Sequence, residues 1–460
     1  MMFPERDGNM FSKIAKKCVL YQFKFRHDTL YLLTGDNEAF EESAPSNISR
    51  FQLENHGVKK RYGENQVTER TALVSSQRLL ELDGIDELER MKVITNPFWN
   101  RTRLDVTWSL PVMIGMTENP NISVLQMRDA TKEELLRFHD PSFIETLDLF
   151  GNTGSAFSAR FGLDTDDCPV FPNVHRYARF PVGGVIDATM GVAEGKFKNA
   201  MSFIGGFHHA MESQAAGFCY LNDAVVAIKK YRELNPGKRV LYLDTDAHHG
   251  DGTQMAFYED PNVLTISLHE RSMGFFPGTG RSEEMGVGEG KGYSVNIPLP
   301  PLTDDAEYWK AFEDVVVPIW MAYKPDLVFW DVGADAHVGD PLADIMLTYD
   351  TYYRMTLAVR QLVHNGCRRL VVVGGGGYNP VTTTKVWTIV LASLAEIALP
   401  SVLPENWLNL VRKYNLEMRR DGWTDRPTRI DEEHYPKVRR AVDDSIHKVR
   451  KLIFPTFGLE

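Results

Sequence analysis

Cysteine is scarce: four residues in 460, with no Cys-x-x-Cys pair among them. Cys18, Cys168, Cys219 and Cys367 are too scattered to suggest a disulfide framework. A reducing, cytoplasmic setting is the natural expectation. Long apolar runs are absent too. None approaches the roughly 20 residues of a membrane helix, and Met1–Phe11 lacks the apolar core of a secretory signal. No membrane role is expected. Positive charge is in deficit, with 51 Lys and Arg against 62 Asp and Glu and a formal net charge of −11. A nucleic-acid binder would carry a basic face, so no direct nucleic-acid contact is expected. No internal repeat or low-complexity tract interrupts the chain. Its 43% hydrophobic and 25% charged residues are ordinary for a soluble globular protein.

What is present is concentrated chemistry. Asp244-Thr245-Asp246-Ala247-His248-His249-Gly250-Asp251-Gly252 packs three carboxylates and two imidazoles behind the apolar run Val240–Leu243. In an extended segment Asp244, Asp246 and His248 share one face. Ligands of this kind at a strand end hold a divalent ion and leave room for water.

From about Asn199 to Ile397 the pattern alternates. Strands are expected at Ala200–Ile204, Val240–Leu243, Val263–Leu268, Leu327–Trp330 and Leu370–Val373. Helices are expected at Asn222–Glu233, Asp305–Met321, Asp350–His364 and Val381–Ile397. Such alternation predicts an α/β fold with a single open, mostly parallel sheet flanked by helices. Glycines and charges cluster where the strands end, which is where parallel sheets place active sites. One domain over 1–460 is expected, with a core at about 130–400, a decorated N-terminal segment 1–129 and an extension 401–460. Within the decorated segment Glu38–Asn47 reads as a loop, Glu69–Leu82 as a helix, and Asn96–Pro120 as an insertion without periodicity. The tryptophans Trp99 and Trp108 read there as ordinary packing. Ala441–Leu452 reads as a terminal helix.

Four further segments follow expected strands or open a helix: Gly205-Gly206-Phe207-His208-His209, Gly217-Phe218-Cys219-Tyr220-Leu221-Asn222-Asp223, Gly333-Ala334-Asp335-Ala336-His337 and Gly374-Gly375-Gly376-Gly377-Tyr378. With Phe275–Gly280 and Asp340-Pro341-Leu342, this set resembles the zinc-dependent histone deacetylase family, which also holds acetylpolyamine amidohydrolases and acetoin-utilisation proteins. The resemblance covers roughly His139–Leu399, and the wording is most similar to the prokaryotic acetoin-utilisation branch. It implies an arginase/deacetylase-like fold. It also implies Zn²⁺, with Fe²⁺ compatible, on Asp246, His248 and Asp335. His208 and His209 would act as general base and acid, oriented by Asp244 and Asp251 respectively. Tyr378 would stabilise the oxyanion. Gly217, Phe218 and Phe276 would shape a tunnel, Leu342 would stand at its mouth, and Asp167 would grip substrate at the rim. A structural K⁺ would use Asp244, Asp246, His248, Ser267 and Leu268. The family's opening phrases are reduced here to Tyr62-Gly63-Glu64-Asn65 and Thr68-Glu69-Arg70, and Arg70 is the expected arginine beneath the site.

The implied partner is an acetylated lysine of a protein or peptide, or an acetylated polyamine. A binuclear manganese ureohydrolase is disfavoured because Asp335 is followed by Ala336-His337 rather than by a second Asp one residue on. A silent acyl-lysine binder would have to keep every catalytic position without using it. His139, His337 and Cys219 read as packing or supporting residues.

Overall fold

The computed structural model describes residues 22–26, 29–33, 70–82, 84, 98–416, 418, 422–425 and 433–460. The expected loop Glu38–Asn47 and the phrase Tyr62–Asn65 lie outside the described residues. The chain divides into two units, Met1–Val58 and Lys59–Glu460. In the first, β1 (Gln22–Arg26) and β2 (Thr29–Leu33) pair antiparallel as a hairpin.

The second unit is built on β3 (Thr71–Ser75), β4 (Ile122–Gln126), β5 (Asn199–Ser202), β6 (Val240–Asp244), β7 (Val263–Glu270), β8 (Ser294–Leu299), β9 (Leu327–Asp331) and β10 (Leu370–Val373). These form one eight-stranded sheet in the order β4-β3-β5-β10-β9-β6-β7-β8. Every neighbouring pair is parallel. The inner strands are buried along their whole length. Helices cover both faces of such a sheet, so its strands read as continuous apolar runs rather than as alternation.

The expected strands and helices between Asn199 and Ile397 are all found, with ends shifted by a residue or two. The run expected at Asp305–Met321 is helical from Asp305 to Tyr323, with a π-turn at Phe312–Val316. Two readings of the N-terminal segment are corrected. Thr71–Ser75, expected within a helix, is a fully buried strand, and only Gln77–Leu80 is helical. Its β-branched and apolar side chains suit a strand between two neighbours. Asn96–Pro120 contains the helix Arg101–Met113, capped by the Asn100 side chain accepting from the Arg103 N–H. Because β3 and β4 belong to the sheet, this part of the segment is structural core rather than decoration.

The extension packs onto that core. Trp407 of helix Glu405–Lys413 is fully buried with Val106 and Leu110 of helix Arg101–Met113, and its Nε1 donates to the Val106 carbonyl at 3.2 Å. Helix Tyr435–Ile453 buries Val438, Val442, Ile446, Val449 and Ile453, one face at helical spacing, and packs against β8. Burying each such side chain contributes roughly 1.5–3 kcal/mol, and the helix covers a strand that has only one neighbour. Among the described residues no helix is long and apolar enough to cross a membrane.

Candidate metal centre and active site

Four strand ends converge on the site. After β5 the chain turns through Gly205-Gly206. The Gly206 and Phe207 N–H groups donate to the buried Asp223 carboxylate at 3.0 and 2.8 Å, which aims the following histidines. Asn222, next to Asp223, donates its backbone N–H to His139 Nε2 at 3.0 Å, while His139 Nδ1 donates to the Glu212 carbonyl at 3.2 Å. Burial lowers His139 to about 4, so it stays neutral and can accept. His139 thus anchors the turn that positions the paired histidines.

His208 and His209 face one another, Nε2 to Nε2, at 3.1 Å. His208 Nδ1 lies 2.9 Å from Asp244 and His209 Nδ1 lies 2.8 Å from Asp251. A carboxylate on the far nitrogen fixes the tautomer and leaves Nε2 for chemistry. The two rings titrate apart. Burial opposes charge on His208, but Asp244 and Asp246 outweigh it and hold its pKa well above the usual value. Burial, and then the charge of His208, depress His209 to about 4.

Asp246, His248 and Asp335 form a second group, all buried, with ligand atoms within 4.8 Å of one another. His248 Nδ1 is 3.3 Å from Asp246 and 2.9 Å from Asp335. Burial opposes charge on His248, yet Asp246 and Asp335 push it up to about 10. Burial, followed by the Asp246 charge, pushes Asp335 up to about 8. Two carboxylates and an imidazole, buried and sharing protons at this range, fit a divalent cation. The glycines around them leave the necessary space. A Cβ on Gly376 would sit 2.3 Å from Asp335 Oδ2, and one on Gly333 would sit 2.3 Å from Asp246 Oδ2.

A bound metal displaces the His248 proton, so affinity is expected to rise with pH. In the metal-free protein that proton stabilises the fold fully below 6.5, and the contribution is lost as pH rises through about 10. Over the same window metal binding strengthens, by about tenfold per unit for each proton displaced. Competition with a chromophoric chelator between about pH 6 and 9 measures this, and a flat profile would remove His248 from the ligand set.

The side chains expected to shape a tunnel also come together. Phe276 is 43% exposed, and its ring centre lies 4.8 Å from that of His209. Phe275 stacks on His248 at 4.8 Å. The Phe218 ring lies 5.5 Å from Tyr378. Gly217 allows this closeness, since a Cβ there would meet His209 at 2.5 Å and Phe276 at 2.9 Å. Phe218 itself has a φ of +67°, and its carbonyl accepts from Trp99 Nε1 at 2.8 Å. Trp99 therefore braces the Phe218 backbone as well as filling the core. Asp167 is tied to the protein: it accepts from the Gly217 N–H and from the Thr165 hydroxyl. Leu342 is 40% exposed, and its N–H donates to Asp340. Ser267 and Leu268 lie on β7, with Ser267 in register with Asp244, and the Ser267 hydroxyl is 2.8 Å from His269 Nδ1. The Tyr378 ring stands 6.2 Å from that of His248, nearly perpendicular to it. Burial, then Asp335 and Asp246, push its phenol well up, so it keeps its proton and can donate.

Three residues here take roles that the sequence alone does not assign. Arg70 is exposed and precedes β3; the arginine beneath the site is Arg103. It is fully buried, donates from Nε to the Gly377 carbonyl at 2.9 Å, and lies 3.9 Å over the Phe98 ring. Burial lowers it only to about 10 because Tyr378, Asp340, Asp335 and Asp246 oppose the loss of charge. Asp331 ends β9 in register with Asp244, accepts from the Tyr242 hydroxyl at 2.9 Å, and lies 4.0 Å from His208 Nδ1. Asp340 accepts from the Tyr378 N–H at 2.7 Å. The carboxylates of Asp246 and Asp335 lie together beside His248, which favours a bound cation.

These features define a class before they point to relatives. A model of the histone deacetylase domain matches residues 98–394. The chain belongs to the histone deacetylase superfamily of metal-dependent hydrolases, and by sequence it stands with the prokaryotic acetoin-utilisation branch. It is 37% identical over 307 residues to acetoin utilization protein AcuC of Bacillus subtilis strain 168, covering 66% of this chain and 77% of that one. AcuC of Staphylococcus aureus strain MSSA476 is 34% identical over 369 residues, covering 78% and 91% respectively. A crystal structure of an HDAC homolog complexed with SAHA superposes with a TM-score of 0.73 at 27% identity, covering 83% of this chain and all of that one. The Aquifex aeolicus HDAC homolog gives 0.70 at 26%, with the same coverage.

Proposed function

We propose that this protein hydrolyses the amide of an acetylated lysine, in a protein or peptide, to free amine and acetate. The observation that carries the reading is the pair of histidines in Nε2 contact, each backed by its own carboxylate, beside a buried Asp-His-Asp cluster. Asp246, His248 and Asp335 would hold a divalent ion, Zn²⁺ on family grounds with Fe²⁺ compatible. When bound, such an ion supplies Lewis acidity toward an acyl carbonyl and makes a nucleophile available near neutral pH. The protein's own groups do the rest. Neutral His209, at the tunnel floor beside Phe276, accepts a proton at Nε2 and later returns one to the leaving amine. His208, held charged by Asp244, stabilises negative charge that develops next to it. Tyr378 donates its O–H to the carbonyl oxygen. Phe218 and Phe276 enclose the aliphatic stem of the lysine and keep water from it. A K⁺ ion near Asp244, Asp246, His248, Ser267 and Leu268 belongs to the same proposal, as does Asp167 as the rim contact. We place the protein in the cytoplasm.

An acetylated polyamine is the second substrate. Leu342 gives the mouth no acidic group to attract a distal ammonium, which favours acyl-lysine. A binuclear ureohydrolase is disfavoured further, because the nitrogens of His337 are engaged by Asp425 and the Gly339 N–H. Acetate release from an acetyl-lysine peptide and from acetylspermidine, with and without a chelator, tests the reading. Chelator-sensitive turnover of the peptide is the expected result. Turnover of acetylspermidine alone moves the substrate to polyamines, and silence of metal-replete protein on both sinks the proposal.

A further inference from the structure

The loop that follows β9 carries three functional groups within eight residues. Asp335 is a metal-ligand candidate. Asp340 holds the Tyr378 N–H at 2.7 Å and the Leu342 N–H at 3.0 Å. Leu342, 40% exposed, stands at the mouth in the proposed function. The loop has little regular structure, so its shape rests on a few hydrogen bonds: Leu347 N–H to the Ala336 carbonyl at 3.0 Å, Val338 N–H to the Leu347 carbonyl at 2.9 Å, and Asp340 N–H to the His337 carbonyl at 2.8 Å.

At its centre is His337, which is 2% exposed. Its Nδ1 accepts from the Gly339 N–H at 3.0 Å. That fixes the proton on Nε2, which donates to Asp425 at 2.7 Å. The same Asp425 oxygen accepts the Tyr349 N–H at 3.3 Å. Tyr349 packs its ring 4.3 Å from His337, and the buried Lys385 ammonium lies 4.1 Å over the Tyr349 ring. Asp425 therefore joins the loop to the first residue of helix Tyr349–Asn365. It comes from the extension, outside the residues 98–394 matched by the family model. Nearby, Trp423 Nε1 donates to the Pro400 carbonyl at 2.8 Å and ties this part of the chain down.

We propose that Asp425 is a positioning residue: the C-terminal extension clips His337, and so sets Asp335 for metal binding and, through Asp340, the backbone of Tyr378. Without the carboxylate a buried imidazole N–H loses its acceptor, and the loop must shift to satisfy it. The consequence for turnover rests on the deacetylase reading; the consequence for metal binding does not. Full-length protein would be compared as wild type, Asp425→Ala, Asp425→Asn and Trp407→Phe. Affinity for Co²⁺ and Zn²⁺ would be measured by chelator competition, and kcat and KM on acetyl-lysine peptide.

The expected result is that Asp425→Ala weakens metal binding about tenfold and lowers kcat more than it raises KM. Asp425→Asn, whose amide oxygen can still accept from His337, recovers most of both. Trp407→Phe, which loosens the extension away from the clip, lowers Tm without changing metal affinity. Should Asp425→Ala fail to fold, Asp425→Glu, one methylene too long, still weakens metal binding severalfold. Wild-type metal affinity in folded Asp425→Ala, or in Asp425→Glu if that is the variant that folds, overturns the proposal. So does a loss in Asp425→Asn equal to that in Asp425→Ala. If the wild type turns over no acylated amine, the deacetylase reading fails while the metal titration still decides the clip.

Discussion

His209→Ala is expected to lower kcat on an acetyl-lysine peptide by about 10²–10⁴-fold, the range that a positioned general acid–base contributes. His209 is the member of the pair that is neutral near pH 7. Burial and the adjacent charge of His208 depress it to about 4, while Asp251 holds its Nδ1. A neutral imidazole with its lone pair on Nε2 is the form that can take a proton. Its ring also lies against Phe276, at 4.8 Å between ring centres. Metal affinity should be nearly unchanged, because His209 is outside the Asp246, His248 and Asp335 cluster. That pairing of results is the check. A variant with lost metal would show that the ring is structural, and one that keeps kcat within a few-fold would remove His209 from the chemistry.

Tyr378→Phe is expected to cost about 10²–10³-fold in kcat, the usual loss for one oxyanion donor. The change removes one oxygen and keeps the ring against Phe218 and near His248. Substrate affinity should therefore move far less than kcat, since an oxyanion donor acts mainly in the transition state. The Tyr378 hydroxyl stays protonated across the working range because burial, Asp335 and Asp246 all oppose its ionisation. No alkaline limb of the rate profile within that range should be traceable to it. Equal losses in kcat and in peptide affinity would point instead to a lining role.

The two variants separate the site's parts. His209 depends on the turn after β5, held by Asp223 and His139. Tyr378 depends on a glycine run underpinned by Arg103 and Asp340. A Cβ on Gly375 would meet Asp331 Oδ1 at 2.2 Å, and one on Gly376 would meet Asp335 Oδ2 at 2.3 Å. Gly375 and Gly376 are thus required by close approach to carboxylates, whereas Gly377, at a φ of +134°, is required by its backbone angle.

The parts of this protein written in local order were legible from the chain. Alternating strands and helices between Asn199 and Ile397 announced a parallel sheet. The Asp244–Asp251 run, the paired histidines and Tyr378 each stand directly behind a strand, where a parallel sheet exposes its ends. Other features depended on which strands are neighbours and which helices pack together. Asp331 matters because β9 lies beside β6 and sets it in register with Asp244. Arg103 sits on a helix that read as an unpatterned insertion, and its partners are carbonyls more than 270 residues away. Thr71–Ser75 read as helix because five residues carry too little periodicity to decide, and two flanking strands made it a strand. Asp425 lies in a charged, proline-broken extension and acquires a role only by reaching His337. Periodicity and ligand spacing act within a few residues and are printed in the chain. Burial, charge compensation and hydrogen-bond partners arise only when distant segments close on one another, so the tertiary structure alone decided them.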